Sequence, residues 1–333
     1  MRRQNDALPL LEVKDLRIGY KTYMGKLKVL NGVNLTVHQG EKVGVIGESG
    51  CGKTTCMKAI LRILANNATV DGGTIHFRGD DVLNMDKKKL SEMRRKSITM
   101  IFQDPTAALN PVFKVGDLLA DVIRYSGRFD GEKASKKMLR EKSIEALKEV
   151  ALPDPERVLD SYAFQLSGGM RQRICIAMSL STAKDLLIAD EPTTNLDVTI
   201  QDQVLRLMKS LVEKKGISVI LISHALGTIS GTVDTVYVMY AGNVIEIAQT
   251  RVLFANPLHP YTKGLLASVP KLTGAGFSEG IRGRIADYIN PPTGCRFNPR
   301  CSYALDICSK ENPELFNVDS NNHRVACWLY NER

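Results

Sequence analysis

One segment of the 333-residue chain restricts its possible folds more than any other, the sequence GESGCGKT at residues 47–54. It follows the apolar run 42–46, which is typical of a buried strand, and precedes residues 54–64, whose pattern predicts a helix. Glycines allow a tight turn whose N–H groups surround phosphate oxygens at the positive end of a helix dipole. A chance glycine turn is the alternative, but the strand–turn–helix setting argues against it. The sequence therefore predicts a nucleotide-binding loop, here called the glycine loop (residues 47–54), within an α/β sheet.

The side chains of the glycine loop have distinct expected tasks. Lys53 is expected to reach the β- and γ-phosphates of ATP, and the Thr54 hydroxyl to hold Mg²⁺. Because Cys51 occupies a position of the motif that any residue can fill, we expect its thiol to have no catalytic role. The full set predicted to contact the nucleotide here is Gly47, Ser49, Gly50, Cys51, Gly52, Lys53, Thr54 and Thr55.

Two adjacent carboxylates, Asp190 and Glu191, follow the apolar run 186–189. Adjacent residues at a strand end point in different directions, so Asp190 can face Mg²⁺ while Glu191 polarises an attacking water. The alternative is an acidic turn that caps the next helix. Beside the glycine loop, the pair favours the second half of an ATP site.

The predicted elements follow the order of a doubly wound α/β sheet. Short β-like runs fill residues 10–46, and residues 104–165 are mostly helical and highly charged, as expected of an inserted lobe. Further buried strands are predicted at 97–102, 186–189 and 219–222, with a helix at about 199–214. Beyond about residue 250, prolines and cysteines become frequent.

Charge and hydropathy exclude some classes of protein. The 45 basic and 36 acidic residues give a net charge of +9, which permits attraction to nucleic acid or an anionic membrane. The basic clusters, however, mix with acids and carry no interleaved aromatics, as solvated helix faces do. No apolar run reaches the roughly 18 residues that cross a bilayer, and residues 1–6 do not begin a signal peptide. We expect a cytosolic chain that binds no nucleic acid.

A serine and two glycines open a predicted helix in LSGGMRQR, residues 166–173. With the glycine loop and the carboxylate pair, this segment resembles the nucleotide-binding subunit of ATP-binding-cassette (ABC) transporters, whose signature is LSGGQ; Met170 replaces the Gln. The resemblance implies an α/β, RecA-like P-loop NTPase core with an antiparallel β subdomain and a helical subdomain at about 104–168. It also implies that Ser167, Gly168 and Gly169 contact the γ-phosphate of ATP held by a partner subunit. Alone, the segment reads as an ordinary capped helix.

The same resemblance assigns roles elsewhere along the chain. Gln103 is expected to approach Mg²⁺ and water, Asp197 to lie near the dimer seam, and His224 to touch the γ-phosphate. Tyr20 resembles the residue that stacks on adenine, and Tyr23 competes for that role. The implied catalytic residues are Glu191, His224 and Gln103, and the implied Mg²⁺ ligands are Thr54, Gln103 and Asp190.

Two residues depart from the family pattern near the expected seam. Ala225 follows His224 where relatives commonly carry Asp, and Asn195 stands where a small Ala is usual. We expect both to leave ATP binding intact and to affect the coupling between two ATP sites.

The C-terminal part narrows the resemblance to oligopeptide and dipeptide importers, through NPLHPYT at 256–262 and a cysteine-rich end. In a reducing cytosol, four gathered cysteines favour a metal over disulfides. The spacing of these cysteines lacks the pair separated by two to four residues that is usual for zinc sites. The resemblance implies a [4Fe-4S] cluster, which some members of this subfamily carry on this spacing. Zn²⁺ and free thiols are the alternatives. The predicted ligands are Cys295, Cys301, Cys308 and Cys327. The predicted domains are residues 1–250 for nucleotide binding and 251–333 for a small cysteine-rich extension.

The resemblance implies an ATPase subunit that energises peptide import from the cytoplasmic side of the membrane. Two nucleotide-binding domains are expected to enclose two ATP molecules, and their closure is expected to drive two permease subunits. The full complex is expected to include an extracytoplasmic substrate-binding protein. A heterodimer with a similar ATPase is favoured over a homodimer. The alternatives are another cargo, such as nickel chelates, sugars or an exported peptide, and a soluble ABC protein of translation or DNA repair. One glycine loop and no sustained heptads argue against the soluble protein.

Overall fold

The computed structural model describes residues 8–126, 134–194, 196–268, 280–318 and 322–331. The strands are β1 (Leu11–Thr22), β2 (Gly25–Val37), β3 (Lys42–Ile46), β4 (Ala68–Phe77), β5 (Asp80–Asp81), β6 (Ile98–Ile101), β7 (Leu186–Asp190), β8 (Ser218–Ile222), β9 (Thr235–Tyr240), β10 (Asn243–Gln249), β11 (Phe316–Asn317) and β12 (Arg324–Val325). The α-helices are α1 (Lys53–Ile60), α2 (Lys87–Lys96), α3 (Pro105–Ala108), α4 (Val115–Tyr125), α5 (Lys136–Glu149), α6 (Pro155–Asp160), α7 (Gly168–Thr182), α8 (Val198–Lys215), α9 (Leu226–Ser230), α10 (Thr250–Ala255) and α11 (Pro260–Ala267). The described residues form two compact units. The first unit consists of those within 1–38, 42–84 and 223–333, and the second of those within 39–41 and 85–222.

The first unit contains an antiparallel sheet in the order β2-β1-β4-β5. Along β1 the buried side chains change phase, from Leu11 and Val13 to Leu16 and Ile18. The change needs an extra residue, and the ladder has a register shift between Val13 and Leu16, where Asp15 has a φ of 46°. The bulge therefore keeps both halves of β1 facing one core.

The first unit also holds a mixed set of strands built on β3. This strand pairs in parallel with β9, and β9, β10, β12 and β11 continue antiparallel. A two-residue turn, Ala241-Gly242, joins β9 to β10 with φ values of 43° and 82°. Positive φ at both positions matches the right-handed twist of a hairpin, and glycine adopts it at little cost.

A buried carboxylate connects β10 to the segment before α11. Glu246 is fully buried, and its oxygens accept the N–H groups of Leu258 (2.7 Å) and His259 (2.9 Å). His323 lies 2.8 Å from the same carboxylate. The carboxylate satisfies donors that burial would otherwise leave unpaired, and it fixes the start of α11.

The second unit is built on parallel strands in the order β6-β7-β8. Every residue of β7 and β8 is buried, which explains why both read as continuous apolar runs. Helices α3 to α6 lie within the range for which a helical lobe is predicted. Helix α4 buries Val115, Leu119 and Ile123 at four-residue spacing.

The predicted strands at 97–102, 186–189 and 219–222, and the helix at 199–214, are confirmed to within two residues. The helix predicted to extend to residue 64 is wrong at its end, because α1 stops at Ile60 and Arg62 adopts a left-handed φ of 51°. Among the described helices, none combines the length and apolar character needed to cross a bilayer.

Candidate nucleotide-binding site

The glycine loop lies in the first unit, between the end of β3 and the start of α1. Gly47 has a φ of 152°, and a side chain there would collide with the carbonyl oxygen of Met239 on β9. The turn after β9 also contacts the loop, because the Gly242 N–H donates to the Cys51 carbonyl at 2.9 Å. Glycine is therefore required at position 47 for both backbone angle and space.

The predicted phosphate ligand, Lys53, folds back over the loop. Its side chain is buried, and Nζ donates to the carbonyls of Gly47 (2.8 Å) and Glu48 (3.0 Å) and lies 3.7 Å from the Cys51 sulfur. Burial raises the pKa of the Cys51 thiol, which keeps it protonated and supports an incidental role. Thr54 and Thr55 occupy the first turn of α1. A cation, a helix N-terminus and a turn of backbone thus lie together, as an anion requires.

Side chains from the C-terminal part also contact the glycine loop, and sequence reasoning missed them. The Arg300 guanidinium forms two hydrogen bonds with the Glu48 carboxylate, at 2.8 and 3.2 Å. The Tyr261 hydroxyl accepts the Glu48 N–H, and the Tyr288 hydroxyl donates to the Gly50 carbonyl, both at 2.8 Å. No local signal could reveal contacts between residues more than 200 positions apart.

The predicted Mg²⁺ ligand Asp190 and the predicted catalytic residue Glu191 lie in the second unit. Asp190 is the buried last residue of β7, and Glu191 follows with a left-handed φ of 48°. Glu191 Oε2 accepts hydrogen bonds from the Gln103 amide (2.8 Å) and from the Thr194 hydroxyl (3.1 Å). A non-glycine residue in this backbone region stores strain on the order of 1 kcal/mol, which the neighbouring hydrogen bonds offset. The structure therefore brings Gln103 and Glu191 together.

The serine–glycine helix is α7, also in the second unit. Ser167 caps it by accepting the Met170 N–H at 3.4 Å, and Ser167 itself is exposed. A side chain on Gly169 would lie 3.0 Å from Ile200 of α8, so the close packing of the two helices favours glycine. Ser167 is therefore the exposed residue at this helix start, whereas Gly168 and Gly169 are half-buried.

The remaining predicted site residues lie on different strands, turns and helices. Tyr20 lies half-buried in β1, whereas Tyr23 is 99% exposed in the β1–β2 turn. His224 is exposed before α9, and Ala225 is the cap residue of that helix without a side-chain hydrogen bond. Asp197 is exposed at the start of α8. Asn195 lies outside the described residues.

The four C-terminal cysteines border one small cavity. Burial raises the pKa of the Cys295 thiol to about 11 and also raises the pKa values of Cys301 and Cys327. Throughout the described ranges, no group of three or more His, Cys, Asp or Glu is arranged to hold a metal ion. The prediction of a [4Fe-4S] cluster or Zn²⁺ at Cys295, Cys301, Cys308 and Cys327 finds no support in this arrangement.

Two known protein families match the chain. The family described as ABC transporter matches residues 30–194, and the oligopeptide/dipeptide transporter, C-terminal region, matches residues 245–308.

Relatives with related names match almost the whole chain. The oligopeptide transport ATP-binding protein OppD of Bacillus subtilis (strain 168) is 44% identical over 323 residues, which are 96% of this chain and 88% of OppD. The dipeptide transport ATP-binding protein DppD of the same strain is 42% identical over 327 residues, 97% of this chain and 96% of DppD. A solved dimer of the ATP-binding cassette MJ0796, in a post-hydrolysis state with ADP and Pi, matches with a TM-score of 0.63 and 25% identity, over 72% of this chain and 99% of MJ0796.

Proposed function

The chain belongs to the ABC transporter family, in its oligopeptide and dipeptide branch, and on that premise we propose that it hydrolyses ATP to energise peptide import. The observation that carries the proposal is the Lys53 ammonium held over a glycine loop that opens α1. The match of residues 245–308 to the peptide-transporter C-terminal region supports peptides as cargo. OppD and DppD, named for oligopeptide and dipeptide transport, support the same cargo.

The first unit binds the nucleotide in this proposal. The loop N–H groups, Lys53 and the α1 terminus hold the phosphates, with Ser49, Thr54 and Thr55 contributing hydroxyls. Tyr20 stacks on the adenine, which its half-buried position permits, and His224 contacts the γ-phosphate. The remaining contacts come from the loop residues Gly47, Gly50, Cys51 and Gly52.

The second unit supplies the catalytic carboxylate. Glu191 acts as the general base for water, oriented by its hydrogen bonds to Gln103 and Thr194. Gln103 follows β6 and Asp190 ends β7, the strand paired with it. The side chains of both residues, like the Thr54 hydroxyl, carry the oxygen ligands that Mg²⁺ prefers. Magnesium, when bound, neutralises charge on the phosphates.

The exposed Ser167 at the start of α7 supports a contact with a second subunit. Ser167, Gly168 and Gly169 contact ATP held by a second ABC ATPase, and Asp197 lies at that seam. We assign residues 1–250 to the nucleotide-binding domain, with a helical subdomain at about 104–168, and residues 251–333 to the extension. The complex includes two permease subunits and an extracytoplasmic substrate-binding protein, with a heterodimer of ATPases on the cytoplasmic face of the membrane.

The first experiment tests nucleotide binding. Lys53→Ala is expected to weaken binding of a fluorescent ATP analogue by about 100-fold, because charged hydrogen bonds to phosphate contribute about 1.5–3 kcal/mol each. Lys58→Ala, on the same helix, is the matched control. Unchanged affinity in Lys53→Ala would contradict the proposed site. Uptake by the assembled transporter, compared between labelled dipeptides and a nickel chelate, tests the cargo.

The state of the four cysteines is tested separately, since the arrangement does not support a metal. Iron, sulfide and zinc analysis of anaerobically purified protein distinguishes the predicted [4Fe-4S] cluster from its alternatives, Zn²⁺ and free thiols. Iron and sulfide near four each per chain would restore the cluster prediction. Iron, sulfide and zinc all absent would establish free thiols.

A further inference from the structure

We infer that Arg300 is a positioning residue for the glycine loop, so that the C-terminal segment sets the affinity of this chain for ATP. The inference rests on the proposed function, because it concerns the same nucleotide site. It adds a second layer of residues to that site, Arg300, Tyr288 and Tyr261, none of which belongs to the loop.

The first support is the geometry of Arg300. Its side chain is only 5% exposed, and NH1 and NH2 bind the two oxygens of the Glu48 carboxylate. Nε and NH2 also donate to the carbonyls of Arg282 (2.9 Å) and Ile281 (3.1 Å). The hydrogen bonds to the Glu48 carboxylate raise the pKa of Arg300. A planar guanidinium with this many partners holds Glu48 in one orientation, which a flexible ammonium cannot do.

The second support is that two tyrosines hold the backbone of the same loop. Tyr261 accepts the Glu48 N–H, and Tyr288 donates to the Gly50 carbonyl. Burial raises the pKa of both phenols, so both keep their hydroxyl protons at any physiological pH. Three side chains from outside the loop therefore restrain residues 48 to 50, at the point where glycines make the backbone most free.

The third support is that Arg300 is itself held by the cysteine-bearing segment. The N–H groups of Asn298, Arg300 and Cys301 donate to the carbonyls of Cys295, Phe297 and Asn298 in turn, at 2.9, 2.9 and 3.1 Å. The Phe297 ring lies 5.6 Å from that of Tyr261. This tight turn and its aromatic contact place Arg300 and Tyr261 relative to each other.

A loop restrained before ATP arrives loses little conformational freedom on binding, so the restraint increases affinity. Removing it should weaken ATP binding without removing any group that touches ATP. This separates a positioning role from the direct role of Lys53, whose loss removes the charge itself.

The test measures the Kd of the full chain for a fluorescent ATP analogue. Arg300→Gln should weaken binding roughly tenfold, and Arg300→Lys should recover part of the loss, because it keeps the charge but not the paired geometry. Glu48→Gln should weaken binding similarly, and the double variant Glu48→Gln/Arg300→Gln should be no worse than either single variant. The matched control is Arg284→Gln, an exposed arginine of the same segment.

Thermal unfolding of the nucleotide-free variants separates positioning from folding. If Arg300→Gln unfolds during purification, Tyr288→Phe serves instead, because it removes one hydroxyl and keeps the ring; a several-fold loss of affinity is expected. Folded variants that bind like wild type, or losses in the double variant that add, would overturn the inference. A wild-type chain that does not bind the analogue would instead overturn the proposed function.

Discussion

Replacing Glu246 should destabilise the C-terminal part of the first unit more than any exposed substitution nearby. The carboxylate is fully buried and has three partners, the N–H groups of Leu258 and His259 and the ring of His323. In Glu246→Gln, one carboxylate oxygen becomes an NH₂ group that faces a donor. The substitution therefore leaves at least two buried polar groups unpaired.

The magnitude follows from the cost of an unpaired buried group, about 1–3 kcal/mol each. Glu246→Gln should then lower the free energy of unfolding by about 3 kcal/mol. Glu246→Ala, which leaves three donors unpaired and a cavity, should lower it by about 5 kcal/mol.

The assay uses Trp328, the single tryptophan of the chain. It lies beside the affected region, with its ring 5.8 Å from that of Phe316 and its indole N–H donating to the Glu311 carbonyl at 3.1 Å. Urea unfolding followed by its fluorescence should show a midpoint lowered by about 1 M or more in Glu246→Gln, given a slope of about 1–3 kcal/mol per M. The control is the exposed Glu314→Gln. Equal midpoints for the two variants would refute the role given to this carboxylate.

Three further results are expected. Burial lowers the pKa of His259 from 6.5 to about 3, so between these pH values the unfolded chain binds a proton that the folded chain does not. The free energy of unfolding should therefore fall by about 2 kcal/mol from pH 7 to pH 5, measured as a lower urea midpoint. In His259→Asn the contribution of this histidine to the fall should be absent. Gly47→Ala should lose nucleotide binding in the fluorescence titration, because a side chain at position 47 collides with the Met239 carbonyl oxygen. Gly40→Ala, which also places a side chain at a positive φ but in open space, is the control for backbone strain and should bind the nucleotide. Glu191→Gln should bind ATP with near-parental Kd but hydrolyse it at least 100-fold more slowly in the assembled transporter; turnover at the parental rate would remove Glu191 as the base.

The sequence alone determined the features that depend on neighbouring residues. The GESGCGKT segment requires a strand, a tight turn and a helix, because only glycines tolerate the backbone angles and phosphates require the free N–H groups. Likewise, the continuous apolar runs of β7 and β8 predict strands buried on both faces, and Ser167 predicts a helix start.

Only the tertiary structure decided which distant side chains meet. Arg300 lies 252 positions from Glu48, and Glu246 selects His323 as a partner through the pairing of β10 with β12. Cysteine spacing predicted a metal site, yet the fold places the thiols around a cavity without an arrangement that holds a metal among the described residues. Local patterns limit the conformation of a segment, whereas the path of the whole chain decides the distances between segments; a sequence therefore predicts the glycine loop but not the residues that hold it.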